Sequence, residues 1–85
     1  MTANSAAQIE RHNLADDILE GADAIAEFLF GAEDSERDRN RRKIYYLAER
    51  SRLPLFRLGT MLCARKSVLL AFIASQEERA LPAEI

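Results

Sequence analysis

The chain changes its periodicity at Leu53-Pro54. In residues 41–52 the apolar positions recur at the three- and four-residue spacing of an amphipathic helix, whereas after the proline they alternate at every second position, as in a strand. The residue before a proline is pushed out of the α region and proline has no N–H to donate, so a helix has to end here. The sequence therefore predicts an α+β fold, mainly helical, in which a helix is followed by short strands.

The predicted helix 41–52 has two chemically different faces. Winding it at about 100° per residue puts the apolar residues on one side, which are Ile44, Leu47 and Ala48. The opposite side carries Arg42, Tyr46 and Arg50, with Lys43 at its edge. This side is therefore expected to be a cationic surface with a tyrosine in its middle.

A hairpin and a final helix are predicted after the proline. Gly59-Thr60 suits a two-residue type II′ turn, because glycine adopts the positive φ that its first position requires. One face of the hairpin is predicted to carry Phe56, Leu58, Leu62 and Ala64, and the other Leu55, Arg57, Met61, Cys63 and Arg65. Ser67 is the predicted N-cap of a helix over 68–79. The inward residues of that helix are expected to be Leu69, Phe72 and Ile73.

The N-terminal part of the chain is predicted to contain one helix and one loop. Apolar residues recur at helical spacing in the series Leu14, Ile18, Ala22, Ile25 and Leu29. Gly21 interrupts the series at a cost of about 1 kcal/mol relative to alanine, so we expect it to separate a short lead-in from a helix over 22–30. Residues 31–40 have the composition of a polar loop, with Asp38 or Asn40 capping the next helix. The predicted domain is 18–80, between an N-terminal extension, 1–17, and a tail, 81–85.

Positive charge is segregated along the chain. Residues 37–66 hold ten Lys or Arg and two acids, residues 1–36 hold one Arg and nine acids, and the net charge of the whole chain is -2. A cluster of cations beside an acidic remainder is typical of nucleic-acid binders, because clustered Lys and Arg neutralise phosphates. A solvated helix face has the same composition, so charge alone leaves both interpretations open.

The composition argues against several classes of function. The 85 residues have room for one domain with a modest core. The single Cys63 and the lone His12 provide no metal-ligand cluster, so no metal or other cofactor is expected. No pattern of nucleophile, paired acid or phosphate-binding loop indicates an enzyme or a small-molecule substrate. No apolar run approaches the roughly 20 residues of a membrane span, and a cytoplasmic protein is expected.

Four segments of the chain together carry a specific resemblance. They are residues 21–29, 44–50, 53–59 and 65–73. The most distinctive is Leu-Pro-x-Phe-Arg-x-Gly at 53–59, followed by Arg65-Lys66-Ser67 at the start of the last helix. Residues 18–74 resemble the small excisionase-type, or AlpA-like, DNA-binding domains of the MerR superfamily. The resemblance implies a winged helix-turn-helix with a short two-stranded wing and a C-terminal helix, in a bacterial-type transcriptional regulator or a recombination directionality factor.

The resemblance implies that helix 41–52 reads the major groove of double-stranded DNA. Its reading positions fall on Arg41, Arg42, Lys43, Tyr46 and Arg50. Arg42 is expected to pair with guanine, and Tyr46 and Arg50 to reach phosphates. Contacts to the DNA backbone are expected from the residues that flank the wing, Arg57, Arg65 and Lys66. The alternative for each of these cations is a solvated side chain.

The chain departs from this family in its wing. Relatives carry Arg or other polar residues where this chain has Met61 and Cys63, and acids where it has Val68 and Leu70. An exposed apolar strip is typical of a protein interface, so a homodimer or a protein partner is predicted there, unless residues 1–20 cover it. The alternative function is a protein-interaction adaptor on a winged-helix scaffold that has lost strong DNA binding. The pI of about 5.4 favours the adaptor, whereas the segregated charge favours the DNA-binding protein.

Overall fold

The computed structural model describes residues 14–80 and has the predicted α+β character, mainly helical. Its elements are strand β1 (Ile18–Glu20), helix α1 (Ala22–Phe30), a 3-10 turn (Asp34–Glu36), helix α2 (Arg37–Arg50), strands β2 (Phe56–Leu58) and β3 (Met61–Arg65), and helix α3 (Lys66–Ala80). None of the helices within this part of the chain is long and apolar enough to cross a membrane.

The sheet has three antiparallel strands in the order β1-β3-β2, where the sequence predicted a two-stranded hairpin. The additional strand contains Ile18, which the helical periodicity had assigned to a helical face. Gly21 ends this strand at a φ of 92°, and its N–H donates to the Leu62 carbonyl at 2.6 Å. The predicted break at Gly21 is therefore confirmed, but a strand precedes it. The helix after it covers the predicted residues.

The predicted turn at Gly59-Thr60 is confirmed, but the predicted faces of the hairpin are wrong. Gly59 has a φ of 64° and Thr60 a negative φ, as in a type II′ turn. The turn places Leu58 opposite Met61, so the next pairs are Arg57 with Leu62 and Phe56 with Cys63. Paired residues share a face of an antiparallel sheet. The face that packs on the core therefore carries Leu62 and Ala64, and the other carries Phe56, Leu58, Met61 and Cys63.

The core lies between the inner face of the sheet and the three helices. Ile25 of α1, Ile44 of α2 and Leu69 of α3 are fully buried, and they pack with Leu62 and Ala64 of β3. The predicted inward residues Ile44 and Leu69 are thus confirmed, whereas Leu47, Phe72 and Ile73 are only half-buried. Ala48, also predicted to face inward, is exposed. It lies in the last turn of α2, where Glu49 and Arg50 are exposed as well, so this turn extends past the core.

Helix α2 begins at Arg37, four positions before the predicted start. The loop is therefore shorter than residues 31–40, and the expected caps Asp38 and Asn40 lie inside the helix. Side-chain pairs three residues apart support this early start: Asp34 with Arg37, Glu36 with Arg39 and Asp38 with Arg41. An acid in the first turn also suits the positive end of the helix dipole.

Helix α3 is capped from elsewhere in the chain and not by Ser67, as the sequence predicted. The helix starts at Lys66, and the backbone N–H of Ser67 donates to the Asp17 carboxylate at 2.9 Å. The Ser67 hydroxyl donates to the same carboxylate at 2.6 Å, and Arg65 Nε donates to it at 3.0 Å. Asp17, placed by the sequence in the N-terminal extension, thus fixes the junction between β3 and α3.

Candidate nucleic-acid interface

The cationic face of α2 is exposed as the helical winding predicted. Arg42, Lys43, Tyr46 and Arg50 all lie at the surface, and the Tyr46 side chain is 56% exposed. The opposite side of the helix is held by Ile44, which is fully buried against α1 and β3. Because the helix is anchored on that side, its cationic face is presented on a rigid support.

Two aromatic rings hold two of these cations in place. The guanidinium carbon of Arg50 lies 5.2 Å from the centre of the Tyr46 ring, and Lys43 Nζ lies 4.2 Å from the centre of the Phe30 ring. A cation over an aromatic face gains about 0.5–1 kcal/mol at an exposed site and keeps its charge. Sequence reasoning missed Phe30, which ends α1, because its contact with α2 depends on how the two helices pack.

Arg42, Lys43 and Arg50 keep their positive charge uncompensated. Within residues 14–80 none of the three forms an ion pair with a carboxylate. By contrast, Arg37 and Arg39 on the same helix are paired with Asp34 and Glu36. Within α2, the uncompensated positive charge of the described residues therefore lies on Arg42, Lys43 and Arg50.

Arg41 lies between the helices, although the sequence placed it among the reading residues. Its Nε donates to Asp23 of α1 at 2.8 Å, and a second nitrogen donates to Asp38 at 2.9 Å. The hydrogen bond and the charge of Asp23, followed by the charge of Asp38, raise the pKa of Arg41 above its ordinary value. Arg41 thus connects α1 to α2, and the carboxylates of Asp23 and Asp38 compensate its positive charge.

The cations that flank the hairpin have three different environments. Arg57 donates to the Thr60 carbonyl at 3.0 Å and so closes the turn. Arg65 is largely buried against Asp17, which compensates its charge. Lys66 is half-buried at the first position of α3. Of the predicted backbone contacts, Arg57 and Lys66 keep an uncompensated charge within the described part of the chain.

The predicted apolar interface strip is only partly exposed. Met61 is 42% exposed, Leu70 57% and Val68 39%, but Cys63 is fully buried and cannot contribute to an interface. Its thiol points to the Met61 carbonyl, with the sulfur 3.7 Å from the oxygen. The outer face of the sheet adds two exposed apolar residues, Phe56 and Leu58. The sequence had assigned both to the face that carries Leu62 and Ala64.

Comparison with known proteins gave no relative from which a role could be transferred. A scan against protein-family models, a search of curated proteins and a search of solved structures found no match to this chain. The surface of α2 and the arrangement of the elements around it are therefore the basis for a functional proposal.

Proposed function

We propose that this protein is a small sequence-specific DNA-binding protein that inserts α2 into the major groove. The observation that carries the proposal is the exposed face of α2, which carries Tyr46 and three cations that form no ion pair within residues 14–80. A helix fits the major groove, and Lys and Arg on its exposed side neutralise phosphates at the groove edges. The role is that of a transcriptional regulator or an excisionase-like recombination directionality factor.

The positions of the side chains along α2 support different roles for them, namely a base contact for one and a phosphate contact for another. Recognition helices contact base edges mainly through their N-terminal part. Arg42 lies in the first half of α2, is exposed and has no acidic partner in residues 14–80, which supports its proposed pairing with guanine O6 and N7. Arg50, held over Tyr46 in the last turn, is suited to a phosphate.

The order of the elements also supports the proposal. Helices α1 and α2 are followed by the hairpin β2–β3, which is the order of a helix-turn-helix with a wing. The link from Arg41 to Asp23 fixes α2 against α1, and a reading helix needs such a fixed orientation.

The test compares specific with random DNA for a double variant of α2. The preferred sequence is first obtained by selection from a random duplex library. Arg42→Ala with Tyr46→Ala should then remove the preference for that sequence, because a base contact is worth about 1–3 kcal/mol of discrimination. Both side chains are exposed and, within residues 14–80, the change removes only the contact between Arg50 and Tyr46, so the thermal transition should move by no more than the equivalent of about 1 kcal/mol.

Arg37→Ala is the matched control for this experiment. It removes a cation from the same helix, but one that is already paired with Asp34, so it should leave the preference for the selected sequence unchanged. A double variant that is folded and discriminates as well as the parent would show that a different face reads the DNA.

A protein-interaction adaptor is the second candidate function. The exposed apolar side chains of the hairpin, Phe56, Leu58 and Met61, favour it, because a wing that contacts phosphates is expected to be polar. If the parent protein bound no duplex even at low salt, the DNA-binding proposal would fail and the adaptor would be favoured.

A further inference from the structure

A polar cleft lies at the C-terminal end of α2, and none of the residues proposed to contact DNA lines it. It has a volume of about 580 Å³ and is lined by Ser51, Arg52, Phe72, Ser75, Gln76 and Arg79. The last four follow the spacing i, i+3, i+4 and i+7, so they form a single face of α3. At this spacing a helix usually shows an apolar face to the rest of the protein, but here the face is polar and the space beside it is open.

The loop that carries Arg52 is held in a fixed conformation. The Ser51 hydroxyl donates to the Leu47 carbonyl at 2.6 Å and accepts the Leu53 N–H at 3.2 Å. The Ser51 backbone N–H also donates to the Leu47 carbonyl, at 2.9 Å. Ser51 is thus occupied with the loop, and the groups that remain for a ligand are those of Arg52, Ser75, Gln76 and Arg79.

The charge and chemistry of the lining select an anion. Within residues 14–80 no acidic side chain lines the cleft, and neither Arg52 nor Arg79 forms an ion pair. Arginines near the C-terminal ends of helices also offset the negative end of the helix dipole, so charge alone does not define a site. The cleft adds hydroxyl and amide donors and the half-buried ring of Phe72. Its volume falls in the range of about 300–1,000 Å³ found for small-molecule sites.

We propose that this cleft binds a nucleotide, with its phosphate between Arg52 and Arg79 and its base against Phe72. Guanidinium groups make charge-assisted hydrogen bonds to phosphate, and aromatic side chains stack on bases irrespective of sequence. The nucleotide is either free in solution or part of a bound DNA strand. The site is separate from Arg42 and Tyr46, and it does not depend on their proposed role.

The first part of the test uses two small probes, adenosine monophosphate and inorganic phosphate. Binding of each probe to the full chain is measured by backbone amide NMR. Adenosine monophosphate should give saturable shifts at residues 51–52 and 72–79. Arg52→Ala with Arg79→Ala should weaken its binding about tenfold or more. Phe72→Leu should weaken binding of adenosine monophosphate but not of inorganic phosphate, because only the former has a base to stack.

The charge-matched control is Arg37→Ala with Arg39→Ala, since both of these arginines are exposed and already paired with acids.

The second part of the test measures binding of duplex DNA. One result would show that the cleft holds a nucleotide of a bound DNA strand. In that result the parent protein binds DNA but not the free nucleotide, and the double change at Arg52 and Arg79 weakens DNA binding much more than the control does. The proposal is overturned if the two double variants behave alike with all three probes, or if the parent binds none of them. Loss of DNA binding in the Arg42 and Tyr46 variant leaves the free-nucleotide result unaffected, so the two proposals fail separately.

Discussion

At the residue scale, Asp17 shows how one carboxylate holds two distant parts of the chain together. It accepts the Ser67 hydroxyl, the Ser67 backbone N–H and Arg65 Nε. The hydroxyl of Ser67 contributes most to lowering the pKa of Asp17 below its ordinary value of 3.8, and the Ser67 N–H and the Arg65 guanidinium act in the same direction against the effect of burial. The ionised form is therefore favoured in the folded protein.

This lowered pKa predicts a dependence of stability on pH. The stabilisation by Asp17 is fully present above the pKa of the unfolded chain and is lost as the pH falls through the lower pKa of the folded protein. Asp17→Asn should lower the thermal midpoint at pH 7, and its difference from the parent should shrink as the pH falls below 3.8. Thermal melts from pH 7 to acid check this, with the exposed neighbour Asp16→Asn as control. Equal midpoints for the parent and Asp17→Asn at pH 7 would contradict it.

At the scale of elements, the link between α1 and α2 depends on Arg41. Arg41→Ala breaks its bonds to Asp23 and Asp38, so the buried contacts around Ile44 have to orient α2 on α1 without this polar link. We expect a lower thermal midpoint and weaker binding to selected and random DNA alike, because the whole face proposed to read DNA shifts. Arg39→Ala is the control, since Arg39 is paired with Glu36 of the 3-10 turn that precedes α2 and not with α1. A loss confined to the selected sequence would instead indicate that Arg41 itself contacts a base.

The elements that could be predicted from the sequence are those whose conformation depends on residues close to one another in the chain. Helix α1, the turn at Gly59-Thr60 and the exposed face of α2 follow from periodicity and turn chemistry within a few residues. Strand β1 was missed because its three residues become a strand only by pairing with β3, far along the chain. The partner of Arg41 was missed for a similar reason, since Asp23 is 18 residues away. The Asp38–Arg41 spacing, by contrast, was readable as an ion pair within a helix.

At the scale of the whole molecule, the exposed apolar side chains of the hairpin β2–β3 and of α3 predict self-association. Met61 and Leu70 are exposed, and Phe56 and Leu58 enlarge the apolar surface on the outer face of the sheet. A small domain that reads few base pairs gains affinity and selectivity when two copies bind together. Met61→Glu with Leu70→Glu should give a folded monomer in sedimentation equilibrium. A parent protein that is monomeric at high micromolar concentration would rule out the homodimer.

The distribution of charge over the molecule predicts how DNA binding responds to salt. Among the predicted contacts, Arg41 and Arg65 are already paired with acids, which leaves Arg42, Lys43, Arg50, Arg57 and Lys66. If one of these reads a base, about four phosphates are neutralised, and each contributes about -0.9 to the slope of log affinity against log salt concentration.

Lys66→Ala should therefore make this slope shallower by about one unit and weaken binding to all sequences similarly. Arg37→Ala should leave the slope unchanged, because Asp34 already compensates its charge. Binding isotherms on one duplex at several salt concentrations measure both slopes. An affinity that stays flat between low and physiological salt would contradict phosphate neutralisation by α2 and by the cations that flank the hairpin. Equal reductions for Lys66→Ala and Arg37→Ala would mean that net charge, and not the placement of the unpaired cations, governs binding.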